Sequence, residues 1–580
     1  MVLSVEVTSR VGVSDDDIQF GSCREWLTPI SASATIHSDK SKPPVQVGKA
    51  LGFIIRRSAI QPDFHETMTI RHKGIMNFSL DLFDRYGRLK EEIRQHTLRK
   101  GSGVWKEELD NGNLVLIEEV EVEEEYRRKR IGSKLVMHIV VKAMMPPNRV
   151  SYAFAAAEAH CSDVGGAHHT KDEGVVSLFR SLRFRRVGLT KWFAWARNKE
   201  HPSRHLARDE DPDPMLEIDD MIDSDSDAEE IQCNEDLTQT RMRTSELDAC
   251  WVDVSPKPKP AITSRNRPLH YAVKTLPDKD ALVFLQSHTR GGIWEELPLD
   301  ALDGRGDTIL HVAAKACKPV CVAWLLRQPL VPPPLQADNY AGYTPLEALQ
   351  AQLEVRRTRI SYGPSRTQLV SDYFDGFDED SVTCLLLLQG VNDPSPEQRM
   401  RAKFGCTCNQ CLDGFLSPRM LMKLSDQAQM HHGLLTKATL SGDEDWYIEF
   451  QDLLEYLPES LRSRVRVDKV LQRAFVSLMG AVAECVSKGK VPRKAAVVEY
   501  LQATEEWEQI ESCYFKQGGT VAAMLSIVFN QAKTMDPEVG GAIINAEPEA
   551  YYRSKPLCRN DLEFGFVRRH CAEDATPPPP

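Results

Sequence analysis

A chain of 580 residues exceeds what one hydrophobic core can organise, and its 42% hydrophobic content is enough for roughly three or four separate cores. Its 84 acidic against 72 basic residues leave a net charge of −12, which excludes general nucleic-acid or anionic-membrane binding but not a local basic site. The 14 cysteines lack the dense spacing of a secreted disulfide scaffold, the N-terminus lacks a basic start followed by an apolar run, and no stretch approaches the roughly 18 apolar residues of a membrane span. The expectation is an intracellular protein, cytoplasmic or nuclear, without a membrane.

In chain order, residues 1–200 read as an α/β domain. The strand "ALGFIIRRSAI" precedes a helix over "DLFDRYGRLKEEIRQHTL", the strand "NLVLIEEVEV", a helix over "SKLVMHIVVKAMM" stopped by Pro146 and Pro147, and the strand "VSYAFAAA". Strand alternation puts Leu114, Leu116, Glu118, Val120 and Val122 on one face, and Val115, Ile117, Glu119, Glu121 and Glu123 on the other. The chain then reverses charge through "EVEEEYRRKRIG" and enters a helix at about Ser133. The first amides of that helix have no internal acceptor, its dipole adds about half a positive charge, and Arg127, Arg128, Lys129 and Arg130 add formal ones. Strand, basic turn and helix predict a cradle for a pyrophosphate, built from Val120, Val122, Arg127, Arg128, Lys129, Arg130, Ile131, Gly132 and Ser133.

These residues carry a resemblance. Leu114 to Val136 resembles motif A of the GNAT superfamily, the acetyl-CoA-dependent N-acetyltransferases, whose pattern is (Q/R)-x-x-G-x-(G/A). Arg127 falls on the first position and Gly132 on the last, with Arg130 in place of the first glycine. "LFRSLRFRRVGLTKWFAWA" is similar to the family's late helix, "GF" turn and last strands, with Phe184 as the aromatic and Arg183 in place of the glycine. The resemblance covers roughly residues 45–197 and implies a GNAT-like mixed sheet, acetyl-CoA as cofactor, and amide donors polarising a thioester carbonyl. In many members a tyrosine of the late helix is the acid. Phe179 stands there, leaving Tyr126, Ser177 or a water for that role. The base is nominated by the strand pattern alone: Glu118, a carboxylate set among Leu116 and Val120, then Glu119. The alternative for the same run is a solvated, self-paired surface.

Residues 201–262, rich in Asp, Glu, Ser and Pro, read as a disordered acidic linker in which Ser224 and Ser226 have acidic residues three positions on. Over 263–357, "RPLHYAV", "DTILHVAA" and "YTPLEAL" recur with the T-P-L-H-x-A character of ankyrin repeats, an α-helical stack that binds a protein partner, with His270 and His311 structural. Residues 358–418 read as irregular around a knuckle, "FGCTCNQCLDGF", whose Cys406, Cys408 and Cys411 are one ligand short of a zinc site. Cys384, His431, His432, Cys558 and Cys571 all remain candidates for the fourth ligand; free or redox-responsive thiols are the alternative to metal. Residues 419–572 read as helical and 573–580 as a frayed tail. The whole resembles fungal ankyrin-repeat proteins with a leading GNAT-like domain. It implies an acyl-CoA-dependent N-acetyltransferase whose repeats recruit a protein substrate, or a scaffold that keeps the fold without the chemistry.

Overall fold

The computed structural model describes residues 5–12, 25–36, 44–60, 64–69, 73–157, 173–213, 267–289, 297–329, 333–361, 367–441, 450–534, 551–552 and 554–572. The chain divides into two compact units: Met1–Ala59 with Gly74–Ala316 and Ala323–Ala348, and Ile60–Lys73 with Cys317–Val322 and Leu349–Pro580.

The first unit is built on a seven-stranded sheet of β1 (Val5–Val11), β2 (Leu27–Ile36), β3 (Val45–Ile55), β4 (Leu114–Val122), β5 (Tyr152–Ala156), β6 (Arg185–Arg186) and β7 (Trp192–Ala196), in the order β1-β2-β3-β4-β5-β7-β6. Every neighbouring pair is antiparallel except β4 and β5. A parallel pair needs a crossover, and helix Ile131–Met144 supplies it. Its Ile131, Leu135, Val136, Ile139, Val140 and Ala143 share one buried cluster with Ala32, Ala34, Val47, Ala50, Val115 and Ile117. A second aromatic cluster joins Phe78 edge-on to Phe83, Phe154 and Trp192 at 5.0 to 5.4 Å between centroids.

Strict alternation along β4 fails at one residue. Leu51 pairs with Glu119 and Gly52 with Ile117, so Glu118 is the extra residue of a bulge. A Cβ on Gly52 would lie 2.5 Å from the Leu116 carbonyl, which is why glycine stands opposite. Beyond the bulge the phase flips: Val120 and Val122 pack against the same cluster as Val115 and Ile117. The expected placement of Glu118 among Leu116 and Val120 on one apolar face is therefore corrected.

Other expectations shift as well. The helix expected through "DLFDRYGRLKEEIRQHTL" is interrupted, because the Asp84 carboxylate accepts the Tyr86 and Arg88 amides and Gly87 takes φ +78; helices Lys73–Leu82 and Glu91–Gln95 flank that turn. Residues 201–213, assigned to the linker, pack instead. The buried Asp211 carboxylate accepts Arg180 Nε and the Arg186 amide, both at 2.7 Å, and His201 stacks on Trp105 at 4.6 Å while its Nε2 meets Glu108 at 3.1 Å. The remainder of the linker, with Ser224 and Ser226, and the 573–580 tail lie outside the described residues.

The repeated segments open helices Pro268–Thr275, Ile309–Lys315 and Pro345–Thr358. Each histidine reaches forward: His270 Nε2 to the Asp307 carbonyl at 3.1 Å, His311 Nε2 to the Tyr343 carbonyl at 2.9 Å. Residues 263–357 were expected to stand as their own domain, but 267–316 and 323–348 cluster with the sheet. The physical reason is helix Glu91–Gln95 and the turn after it. Glu92 accepts the Tyr343 hydroxyl, the Arg99 guanidinium lies 4.4 Å over the Tyr343 ring and donates to the Ala341 carbonyl, and His96 Nε2 lies 3.0 Å from Glu347.

The second unit is mostly helical. Its long central helix, Lys469–Ser487, buries Leu471, Phe475, Leu478, Met479 and Val482. It is the one described helix long and apolar enough to cross a membrane, with 61% of its apolar window buried inside the fold. "KAAVVEYLQATEEWEQI" forms two helices, Lys494–Gln502 and Trp507–Cys513, rather than one. The region 358–418, expected to be irregular, contains the hairpin strands Arg359–Ser361 and Thr367–Leu369 and helices Glu379–Leu388 and Pro396–Lys403. Asp378 and Ser395 cap these helices through their side chains, the signal that marks such short elements.

Candidate functional site

Two sites stand out, one made of backbone and one of sulfur. In the first unit, β4 pairs with β5 only from Leu114 to Ile117. From Glu118 to Val122 its edge away from β3 has no strand partner among the described residues. The chain leaves β4 through a short 3-10 turn, Glu124–Tyr126, and the crossover helix begins at Ile131, two residues before the expected start. Arg128 and Arg130 take φ +60 and +62, a left-handed conformation that costs a side-chain-bearing residue roughly 1–2 kcal/mol. Among the described residues, the backbone N–H groups of 128–133 find no acceptor in the protein; the first helical bond is Lys134 N–H to the Arg130 carbonyl at 3.1 Å. Six consecutive donors, three in the turn and three in the first turn of the helix, therefore lie at a positive helix end.

Arg127, Arg128, Lys129 and Arg130 are all exposed. Arg127 Nε donates to the Val122 carbonyl at 3.1 Å, and Lys129 Nζ lies 4.8 Å from the Tyr126 ring centre. Ile131 is buried, Ser133 half-buried, and a Cβ on Gly132 would make only ordinary contacts with Leu178, Val122 and Val120 at 3.7 to 3.9 Å. Protein packing does not demand that glycine. Of the two nominated carboxylates, Glu118 sits in the bulge, and Glu119 pairs with Lys49 at 3.1 Å, as does Glu121. Hydrogen bonds to Glu119 and Glu121 hold the Lys49 ammonium above its ordinary range. Phe179 is a core residue, packed against Phe184 and Phe193 at 5.3 and 5.9 Å.

In the second unit, Cys406, Cys408 and Cys411 are joined by Cys558, 147 residues further on. All four sulfurs lie within 4.8 Å of one another; adjacent pairs are 3.6, 3.8 and 3.5 Å apart. Left-handed residues at Gly405, Asn409 and Gly414 fold the knuckle. A Cβ on Gly414 would lie 2.3 Å from the Met400 carbonyl, so glycine is required there. The Gln410 amide donates to Cys408 Sγ at 3.4 Å. A hydrogen bond from Cys408, then those from Cys411 and Cys558, hold the Cys406 thiol far below the usual thiol range, and the same network pushes Cys411 up. Four thiols this close cannot all ionise without a counter-charge, and together they can hold a metal ion. Cys558 could be named from the sequence only as one of five candidates. His431 is buried on helix Pro418–Ser441, and neither it nor His432, Cys384 or Cys571 joins the cluster.

No protein family, no curated protein and no solved structure matches this chain.

Proposed function

We propose that the sheet-bearing region is an acyl-coenzyme A-dependent N-acetyltransferase of the GNAT type, joined to ankyrin-type repeats that recruit a protein substrate or partner. The observation that carries this is the run of six acceptorless amides, 128–133, at the start of a 14-residue helix beside the open edge of β4. Amides so placed suit a pyrophosphate. Acetyl-CoA bound there would supply an activated thioester, while Val120 and Val122 form the floor and Arg127 to Arg130 the cationic rim. Arg130 and Arg183 replace glycines of the family pattern, yet they take φ +62 and +65, so the backbone path that glycine permits is kept. Glu118 and Glu119 remain the candidate bases, the first re-aimed by its bulge and the second paired with Lys49.

The experiment is calorimetric titration of the full chain with acetyl-CoA, followed by radiolabel transfer to amine-bearing peptides. Binding in the micromolar range is expected, roughly −8 kcal/mol. No heat at millimolar ligand would overturn the reading. One observation favours a second reading: the position of the family acid is Phe179, 3% exposed and without a proton to donate. Binding without transfer would identify a scaffold that keeps the cofactor seat alone.

The thiol cluster we assign to structural zinc. Zinc–sulfur bonds of about 2.3 Å place tetrahedral sulfurs about 3.8 Å apart. The adjacent pairs at 3.5 to 3.8 Å already approach that spacing. Four thiolates leave no coordination position for a reacting water, which makes the role structural rather than catalytic. Metal analysis under reducing, chelator-free conditions should give one zinc per chain.

A further inference from the structure

Three of the four thiols are local, and the fourth comes from a separate segment whose only covalent tie to the knuckle is 147 residues of chain. The residues that follow Cys558 are tightly packed. Asn560 is 0% exposed, Asp561 3% and Glu563 4%. Asn560 Oδ1 accepts from the fully buried Arg357 at 2.8 Å, and its amide nitrogen donates to the Phe404 carbonyl, two residues before the first thiol, at 3.3 Å. Glu563 faces the same Arg357 at 3.6 Å. The Arg559 amide donates to Thr407 Oγ1, between two of the thiols, at 3.1 Å. The Cys558 amide donates to the Asp561 carboxylate, which Arg419 approaches at 3.8 Å while donating to the Lys555 carbonyl. Helix Phe564–Ala572 follows at once, and its Phe566 and His570 rings pack on Phe404 and Phe415, which flank the knuckle.

Most of these contacts are polar and at least partly buried, or aromatic against the two rings that flank the knuckle; the Arg559–Thr407 bond is exposed. Buried polar groups of this kind hold only while their partners stay in place. A cation held by all four sulfurs would tie the Cys558 segment directly to the knuckle, across three sulfur pairs at 3.5 to 3.8 Å. Cys558 is the one ligand of the four that no short stretch of chain holds beside the others. We propose that the metal is a clasp: its binding docks residues 555–572 onto the knuckle, and its loss releases that segment while the sheet-bearing region stays folded. This rests on the zinc reading above. It makes metal availability the signal that controls the C-terminal helix, with entry from the side of Cys406 and Cys408, the two partly exposed sulfurs.

The test is hydrogen–deuterium exchange on the full-length chain, zinc-loaded and after chelation, with zinc content measured on the same samples. Amides of 558–572 should exchange at least about tenfold faster once zinc is removed, while those of 114–144 keep their protection. Cys558→Ser should reproduce the release at full zinc concentration; chelation of the unaltered chain covers the case in which that variant fails to fold. A chain that takes up no zinc overturns the metal reading and the clasp with it. Zinc uptake with protection of 558–572 unchanged by chelation overturns the clasp alone, and loss of protection at 114–144 as well overturns it by making the metal a global support.

Discussion

The basic turn and the thiol cluster are opposites in construction. The turn presents main-chain donors contributed by six consecutive residues, which find no acceptor among the described residues. The cluster presents side chains from two distant segments, and hydrogen bonds from the Cys558, Arg559 and Asn560 amides run alongside it. The lesson is that the turn offers donors from one stretch of chain, whereas the cluster ties together two stretches 147 residues apart.

The comparison breaks most visibly at the joint. Cys411→Ser should remove the metal and cost more than about 4 kcal/mol, read from the shift of the urea unfolding curve, because metal-binding energy is folding energy. Next comes Arg357→Met. It leaves Glu563 and Asn560 without their buried partner and should cost about 3–5 kcal/mol, with Glu563→Gln in the same chain restoring part of the loss.

The turn is probed by Gly132→Asp, whose two readouts should move in opposite directions. A carboxylate at the helix start satisfies the dipole and stabilises by a few tenths to about 1 kcal/mol. It also fills the proposed phosphate seat, so acetyl-CoA affinity should fall at least about tenfold in calorimetry. If both rise or neither changes, the seat is elsewhere.

Acidification tests the repeated units. Burial holds the His270 and His311 imidazoles below their ordinary range. Their folded values are depressed, so the unfolded chain binds protons more readily. The pair's contribution is complete above the unfolded value of about 6.5 and is lost as pH falls below it, on the order of 1–2 kcal/mol together by pH 5 in thermal melts. The smallest effect belongs to Arg130→Gly. Relief of the left-handed strain roughly offsets the flexibility that glycine adds to the unfolded chain, so stability should stay within about 0.5 kcal/mol. A larger loss in denaturant titration would show that the Arg130 side chain, and not only its backbone, serves the turn.

What the sequence disclosed follows from range. The β4 strand, the basic turn and the crossover helix are contiguous, so charge reversal and apolar period were enough to locate them. β1 and β2 are present but silent, because β2 is built largely from Ser, Ala and Thr and gives a weak apolar alternation. The bulge at Glu118 was invisible because it arises from the Gly52 partner on another strand, and it turned a correct strand into a wrong face. Cys558 was one candidate among five because nothing in a local window links it to the knuckle. The arginines at 130 and 183 looked like losses of glycine; only coordinates tell a replaced residue from a replaced conformation.

The third repeated unit carries Glu347 where the first two carry His270 and His311, and this substitution changes how the unit can be followed. The carboxylate turns back to Thr344, accepting from its amide and hydroxyl, and outward to His96. The two preceding units each pass a ring N–H to the next turn; the third passes nothing along. A unit added after it would therefore lack the ring N–H by which each earlier unit is joined to the next, and would find the Glu347 carboxylate already engaged with Thr344 and His96.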